Sequence, residues 1–125
     1  MIDENGVTYR NMKRIHSVKG KPFSYVDLRL GRAIYDQAPD RFSSEIVVSV
    51  LKEIGIAVAS ARQRVTISYA DIEIAQALDV MVNSPVFRIF REFFDGGGRL
   101  IYSAILTYPG DMLEFEIEFE VDSTG

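Results

Sequence analysis

Hydrophobic and polar residues alternate along several stretches of the chain, a pattern typical of strands with one buried face. Two such runs, at 7–18 and 23–30, flank a short link that contains Gly and Pro, and together they predict a hairpin. A second hairpin is predicted at 87–106, where DGGG supplies a turn of the kind that glycine adopts easily. The most regular alternation is LEFEIEFEV at 113–121, which predicts a last strand with a buried apolar face and a wet acidic face.

Helical spacing of apolar residues is confined to the middle of the chain. Ser43 or Ser44 is predicted to cap a helix that runs to about Ile54 and is stopped by Gly55. The segment before it, GRAIYDQAPDR, is predicted to be irregular or a single turn.

A long strand and a short second helix follow. The run IAVASARQRVTIS predicts the strand, and SYADIEIAQALDV predicts the helix. Ser68 is the predicted N-cap of that helix, with Asp71 three residues on, as in a capping box. The segment NSP then breaks the helix before the second hairpin.

These elements predict an α+β fold. About six strands and two helices are expected, with a mainly antiparallel sheet because hairpins pair their strands antiparallel. No repeat or linker divides the chain, so residues 1–125 are expected to form a single domain.

Composition limits the functions that are open to this chain. Its net charge of −4 argues against the binding of nucleic acid by this chain alone, since binding to phosphates needs clustered Lys and Arg. The absence of Cys and the presence of one His exclude disulfides, thiolate metal sites and His-rich metal sites. With no long apolar run and no leader, we expect a cytoplasmic protein without membrane contact, metal or cofactor.

Catalytic signatures are largely missing from the sequence. It contains no Gly-x-Ser-x-Gly elbow, Walker A loop or HExxH helix. His16 is the single candidate for an imidazole base, although a lone His on a strand is more often an ordinary hydrogen-bonded or exposed residue. The four glutamates of the last predicted strand fit a solvated face better than a pair of catalytic carboxylates.

Arginines on predicted strand faces are the more informative candidates. Arg10, Arg14 and His16 share one face of the first strand. Arg91 interrupts an apolar face of another strand, between Ile89 and Phe93. Inward-pointing arginines, together with a helix that starts at SSE, could form an anion site. Alternatively, the arginines could pair with nearby acids, and the spacing alone leaves both options open.

The order of these motifs resembles a known family. The chain begins with KRIHSVKGKPFSYVDLRL, continues through a serine-led helix that ends in LKEIGI, and reaches SPVFRIFREFFDGGGRLIYS and TYPGDMLEFEIEF. This arrangement is similar to the UTRA domain, the C-terminal effector-binding domain of GntR-type transcription regulators of the HutC subfamily. The resemblance covers nearly the whole chain.

The resemblance implies a fold and a role. The fold would be chorismate-lyase-like, and a small-molecule effector would bind between the sheet and a helix start. The domain would form a homodimer and would act on operator DNA only through an N-terminal winged helix-turn-helix domain, which is absent from this chain. The effector-binding residues that we expect on this basis are Arg10, Arg14, His16, Ser43, Ser44, Tyr102 and Tyr108.

Departures from the family pattern limit the chemical class of ligand that we expect. Arg14 matches one of two arginines that relatives place two residues apart, but Met12 occupies the other position. Glu45 follows the serines of the expected helix start and would repel a phosphate. Pro109 replaces an arginine of the family's Tyr-Arg-Gly-Asp motif. We therefore expect a carboxylate held by Arg14, a sugar or a similar weakly charged metabolite, and a structural role for Arg91.

Two other functions remain open from the sequence. A chorismate-lyase-like enzyme on the same fold would need a carboxylic acid beside the arginines. A pure dimerisation module without a ligand would have its pocket filled by its own side chains.

Overall fold

The computed structural model describes residues 6–114, 116, 118, 120 and 121. These residues form an α+β fold with a mainly antiparallel sheet, as the sequence predicts. The elements in chain order are β1 (Tyr9–Val18), β2 (Lys21–Gly31), α1 (Arg32–Tyr35), α2 (Pro39–Ser44), α3 (Val47–Glu53), β3 (Ser60–Tyr69), α4 (Ile72–Leu78), β4 (Pro85–Phe94), β5 (Leu100–Pro109) and a 3₁₀ turn (Gly110–Met112).

The five strands join one sheet in the order β1-β2-β5-β4-β3, with every neighbouring pair antiparallel. Both predicted hairpins are confirmed, since β1 pairs with β2 and β4 pairs with β5. Lys19 and Gly20, between β1 and β2, have φ values of 52° and 78°, as tight hairpin turns require. The second hairpin turn is closed by Asp95, whose carboxylate accepts hydrogen bonds from the backbone N–H groups of Gly97 and Arg99, each at 2.9 Å.

The main core lies on one face of the sheet, which we call the inner face. Helices α2 and α3 cover this face and bury Phe42 and Val50 completely against it. Arg91 and its apolar neighbours on β4 also lie on the inner face, because Ile89 stands opposite Leu106 in the register. The central strands supply the buried alternate residues that define the face: Val26, Leu28, Leu30, Tyr102, Ala104 and Leu106.

The opposite face of the sheet, the outer face, is only partly covered. Helix α4 packs on one end of it, where Ile74 and Leu78 meet Val86 and Tyr25 in a second, smaller core. The rest of the outer face carries charged side chains of β2, β3 and β4, among them Asp27, Arg29, Arg62, Arg64 and Glu92.

The helix start predicted at Ser43 or Ser44 is wrong. Both serines are the last residues of α2, a separate helix that begins at Pro39, where proline suits the first helical turn. Their hydroxyls donate hydrogen bonds to carbonyls four residues earlier in the chain. The backbone is extended at Glu45, and α3 begins at Val47. Three short helices, α1, α2 and α3, therefore replace one irregular segment and one longer helix.

The other predicted helix ends have mixed outcomes. The stop after α3 is confirmed, since Gly55 has a φ of 79°. The start at Ser68 is wrong, because Ser68 belongs to β3 and α4 begins at Ile72. Asp71 is the N-cap, and its carboxylate accepts a hydrogen bond from the backbone N–H of Ile74 at 2.9 Å. Pairing with β4 keeps Ser68 in the strand and leaves the cap to the aspartate.

The count of elements also differs from the prediction. The described residues form five strands and four helices, rather than about six and two, because α1 and α2 are too short to show a helical period. The strand predicted at 113–121 falls partly on residues 115, 117 and 119, which lie outside the described residues. The described residues between them are not assigned to a strand. Within the described chain, no helix is both long and apolar enough to cross a membrane.

Candidate functional site

Arg14 is the predicted site residue with the most informative surroundings. It lies on the inner face of β1, where it is half-buried and stands opposite Val26 of β2. Its Nη1 donates a 2.6 Å hydrogen bond to the backbone carbonyl of Glu45, and its Nη2 lies 3.7 Å from the sulfur of Met12. Burial lowers the pKa of Arg14 from its ordinary value, while Tyr102 acts in the opposite direction. The guanidinium is thus partly desolvated and has two neutral partners.

Tyr102 links Arg14 to the other polar residues of the inner face. The ring is buried and stacks on Phe93, with 5.1 Å between the ring centroids. Burial raises the pKa of the Tyr102 phenol, whereas the charges of Arg91 and Arg14 act to lower it and Tyr108 acts to raise it. Arg91, Arg14 and Tyr108 therefore each lie close enough to Tyr102 to interact with it electrostatically. We call these four residues the inner-face site.

Arg91 is held by a neighbouring strand. Its Nε donates a 3.0 Å hydrogen bond to Oε1 of Gln63, which stands opposite Arg91 in the pairing of β3 with β4. Among the described residues, neither Arg91 nor Arg14 forms an ion pair with a carboxylate. The pairing of arginines with acids that the sequence left open is thus not present for these two residues.

The remaining predicted residues contact side chains or carbonyls outside this group. Arg10 stacks over the ring of Tyr35, with its Cζ 5.2 Å from the centroid. His16 packs beside Phe23 at a ring-centroid distance of 6.0 Å. The hydroxyls of Ser43 and Ser44 are bonded to backbone carbonyls of their own helix, and that of Ser43 also lies 3.1 Å from the hydroxyl of Tyr35.

Glu45 contributes its backbone, rather than its side chain, to the inner-face site. The carboxylate forms two hydrogen bonds with Arg41, at 2.9 and 3.0 Å, and Arg41 also contacts Glu53. Arg41 lowers the pKa of Glu45 below its ordinary value, chiefly through these hydrogen bonds. The repulsion of anions expected from Glu45 is therefore reduced by a cation of the same helix pair.

Two residues near the site were missed from the sequence. Gln63 was not singled out, because only the strand register places it opposite Arg91. Ser24 is fully buried on the inner face of β2, opposite His16, and its hydroxyl has no hydrogen-bond partner among the described residues. The sequence did contain a signal for Ser24, since it interrupts an alternating row that continues with Val26 and Leu28. A buried hydroxyl without a partner could bind a polar ligand or a water molecule.

A concavity lies on the outer face. It has a volume of about 600 Å³ and is lined by both cations and carboxylates of β2, β3 and β4. Arg62 is paired there with Glu92 at 3.1 Å, and the Cζ of Arg64 lies 4.6 Å from the centroid of Phe90. Of the lining arginines, Arg62 is thus paired with an acid, and Arg91 of the inner-face site also lines this concavity. Within the described residues, no cluster of three or more His, Asp or Glu side chains is arranged to hold a metal ion.

The family of the chain follows from a match of its sequence to a family model. The model described as the UTRA domain matches residues 4–114. Because this range covers most of the chain, the chain belongs to the UTRA domain family, which confirms the resemblance noted from its motifs. No curated protein matches the sequence significantly.

Solved structures show how widely the fold is shared. The effector domain of PhnF from Mycobacterium smegmatis has a TM-score of 0.78 at 19% identity, covering 93% of this chain and 72% of that one. The C-terminal domain of the histidine utilization repressor from Pseudomonas syringae has a TM-score of 0.76 at 18% identity, covering 95% and 84%. A GntR-family transcriptional regulator from Enterococcus faecalis has a TM-score of 0.75 at 16% identity, covering 89% and 81%. Another structure of PhnF, with a TM-score of 0.77 at 19% identity, is covered over only 52% of its length, so this chain spans about half of that protein.

Proposed function

We propose that this chain is the effector-sensing domain of a GntR-type transcription regulator of the HutC subfamily. It binds a small metabolite at the inner-face site and forms a homodimer. A winged helix-turn-helix domain elsewhere in the full protein binds operator DNA. Support comes from the UTRA family match and from the fold shared with effector domains of such regulators.

The observation that carries this proposal is the environment of Arg14. A half-buried guanidinium is bonded to a neutral carbonyl and lies next to a neutral thioether. A carboxylate can accept two parallel hydrogen bonds from one guanidinium and also pairs with its charge, whereas a backbone carbonyl is neutral and accepts one bond from Nη1 of Arg14. A ligand carboxylate would therefore gain more from Arg14 than the Glu45 carbonyl does. The phenols of Tyr102 and Tyr108 add hydrogen-bonding groups of the kind that orient such a ligand.

The same contact suggests how binding is transmitted. The Glu45 carbonyl belongs to the extended connection between α2 and α3, the two helices that cover the inner face. A ligand that takes over Nη1 of Arg14 releases this connection and allows the two helices to shift. Operator binding then changes only if the ligand prefers one arrangement of the dimer over the other.

The charge of the site favours a carboxylate, a sugar or a similar weakly charged metabolite. Arg14 is the cation that would contact the ligand, whereas Arg91 is bonded to Gln63 and supports the site from the neighbouring strand. The partly neutralised Glu45 carboxylate still disfavours a doubly charged phosphate next to Arg14.

No observation favours the chorismate-lyase-like enzyme. That activity would need a carboxylic acid beside the arginines, and the described residues place no carboxylate in an ion pair with Arg14 or Arg91. Two of the structural neighbours reported above are described as a transcriptional regulator and as the C-terminal domain of a repressor.

The test is a thermal-shift screen of the chain against carboxylates, amino acids, sugars and sugar phosphates. A ligand that binds only the folded protein raises the melting temperature as its concentration increases. Each hit is repeated on Arg14→Ala and on Arg64→Ala, which removes one arginine from the outer-face concavity. We expect a carboxylate or sugar hit that is lost in Arg14→Ala and kept in Arg64→Ala.

The opposite pattern would move the effector to the outer face while leaving the sensing function in place. The absence of any hit, with the protein folded and dimeric, would replace the proposed function with that of a dimerisation module. Turnover of chorismate in the same wells would overturn the regulator function.

A further inference from the structure

Ser24 is a buried polar residue that the fold leaves without a partner. Its side chain is fully buried on the inner face of β2, and its hydroxyl forms no hydrogen bond with any of the described residues. Nearly all buried polar groups in folded proteins are hydrogen-bonded, because an unpaired one loses its contacts with water and gains nothing in return. Such an exception is informative where it lies beside a candidate ligand site, as Ser24 does.

The pairing of β1 with β2 places Ser24 close to Arg14. His16 stands opposite Ser24, and Arg14 stands opposite Val26, two residues further along β2. Arg14 and Ser24 are therefore diagonal neighbours on the inner face, and the backbone positions of such neighbours lie about 7–8 Å apart. One small molecule can span this distance, with one group at the guanidinium and another at the hydroxyl.

Tyr108 flanks Ser24 on the other side. Tyr25 of β2 pairs with Thr107 of β5. The next positions along the two strands, Ser24 and Tyr108, are therefore neighbours, and both lie on the inner face. The ring of Tyr108 stacks on Phe87 at a centroid distance of 4.8 Å. A phenol and a serine hydroxyl can each donate and accept hydrogen bonds, so this part of the inner face offers a ligand two neutral polar groups near one cation.

The backbone beside Ser24 is irregular. The register of β1 and β2 shifts between His16 and Ser17, and Ser17 stands opposite Pro22. Phe23 is therefore an extra residue on β2 with no residue opposite it, which is a β-bulge. Bulges are frequent next to functional sites, where they change the direction of a side chain.

We propose that the Ser24 hydroxyl binds a hydroxyl group of the effector, and that the effector is a short hydroxycarboxylate. Its carboxylate pairs with Arg14, and its hydroxyl, a few carbon atoms away, bonds to Ser24. An amine in place of this hydroxyl would carry a positive charge close to Arg14 and would be repelled. A hydroxyl is neutral and, like that of serine, both donates and accepts. This inference rests on the proposed function, for which it names the class of ligand.

Ser24 is closed to solvent in this structure, so a ligand contacts it only when a neighbouring element moves. The connection between α2 and α3 is the element that the proposed function releases, since a ligand takes Nη1 of Arg14 from the Glu45 carbonyl. A ligand hydroxyl on Ser24 then stabilises only the open arrangement, because the closed one leaves the Ser24 oxygen inaccessible. This contact supplies the differential affinity that any shift between two arrangements requires.

The first measurement needs no ligand. Ser24→Ala removes a buried hydroxyl that has no partner, and we expect the melting temperature to rise by about 2–4 °C. Ser103→Ala is the matched control, since Ser103 is half-buried on the outer face of β5, opposite Arg29. We expect this control to change the melting temperature by no more than about 1 °C. If Ser24→Ala gives no rise, the hydroxyl already has a partner, such as a water molecule, and the inference is overturned.

The second measurement compares pairs of ligands that differ by one hydroxyl: lactate with propionate, 3-hydroxybutyrate with butyrate, and malate with succinate. Isothermal titration calorimetry measures each affinity for the wild type, Ser24→Ala and Ser103→Ala. We expect the wild type and Ser103→Ala to bind the hydroxylated member of at least one pair about tenfold more tightly. In Ser24→Ala we expect this preference to fall below about threefold, while the member without the hydroxyl keeps its affinity.

The outcomes separate this inference from the proposed function. Carboxylates that bind without a preference for the hydroxyl, or with a preference that Ser24→Ala keeps, overturn the role of Ser24 while effector sensing stands. An equal loss of both members of a pair in Ser24→Ala means that the substitution distorts the site, and it also overturns the contact. If none of the six carboxylates binds, the ligand class named here is overturned, and the thermal-shift screen decides the sensing function alone.

Discussion

Arg14 of β1 donates a 2.6 Å hydrogen bond to the backbone carbonyl of Glu45, a residue that lies 31 positions further along the chain. The bond connects the edge strand β1 to the extended link between α2 and α3. The Glu45 carboxylate is bonded to Arg41 instead, so the backbone and the side chain of Glu45 contact different arginines. A ligand at Arg14 would compete with the carbonyl and not with the side chain.

The separate contacts of the Glu45 backbone and side chain lead to a prediction about effector binding. Arg14→Ala removes a charge-assisted hydrogen bond to the ligand, and we expect it to weaken a carboxylate effector about ten- to a hundredfold. Glu45→Ala keeps the backbone carbonyl, so we expect it to change the affinity much less. Isothermal titration calorimetry with the best hit of the screen measures both variants. Equal losses in the two would show that the Glu45 side chain, rather than Arg14 alone, binds the ligand.

Asp71 and Ser68 both fit a helix start by sequence, but only Asp71 is the N-cap of α4, so their substitutions should differ in their effect on stability. Asp71→Ala removes the acceptor for the backbone N–H of Ile74, and we expect the free energy of unfolding to fall by about 1 kcal/mol. Ser68→Ala is the matched control, since Ser68 lies in β3, and we expect a change within about 0.5 kcal/mol. Urea denaturation of both variants measures the difference. A larger loss for Ser68→Ala would restore the serine as the functional cap.

Two valines of α3 offer the same substitution at different depths. Val50 is fully buried against the inner face, and we expect Val50→Ala to lower the free energy of unfolding by about 2 kcal/mol through lost burial and a cavity. Val48 is 38% exposed on the same helix, and we expect Val48→Ala to cost less than half as much. Similar losses from chemical denaturation of the two variants would contradict the orientation of α3.

Glu73 predicts a dependence of stability on pH. Its carboxylate accepts hydrogen bonds from the Tyr25 hydroxyl at 2.8 Å and from Lys13 at 3.1 Å, and both lower the pKa of Glu73 below its ordinary value. A lowered pKa in the folded state gives stability that is present above the ordinary glutamate pKa of about 4.3 and is lost as the pH falls through the lowered value.

We therefore expect the wild-type protein to melt higher than Glu73→Gln at neutral pH, with the difference shrinking as the pH is lowered below about 4. Thermal melts between pH 7 and pH 3 measure it. Glu114→Gln serves as the control, since Glu114 is exposed and forms no ion pair within the described chain. A difference that stays constant with pH would exclude the charge of Glu73 as its cause.

Gly110 is required for close packing at the start of β4. A Cβ added there would lie 2.6 Å from the carbonyl oxygen of Pro85, which is backbone and cannot rotate away. We expect Gly110→Ala to lower the free energy of unfolding by about 1–3 kcal/mol. Gly96→Ala, in the hairpin turn, adds a Cβ in open space and should change stability by no more than about 0.5 kcal/mol. Thermal unfolding that ranks the two variants in the opposite order would contradict this packing.

Elements that depend on short-range chemistry could be predicted from the sequence. Alternation of apolar and polar residues predicted both hairpins, and Gly55 ended α3 because a left-handed backbone favours glycine. The same alternation predicted that Arg91 shares the inner face with Phe87 and Ile89, since neighbouring side chains of a strand point to opposite sides. The order of its motifs also identified the family.

Which of the predicted residues contact one another depends on packing between distant parts of the chain. Ser43 and Ser44 were as good as any N-cap by local rules, but a helix that begins at Pro39 continues through them and uses their hydroxyls. The contact of Arg14 with Glu45 depends on how α2 and α3 cross the sheet, and that of Arg91 with Gln63 depends on the register of β3. Contacts between residues so far apart in the chain arise from packing and pairing, which no local pattern specifies.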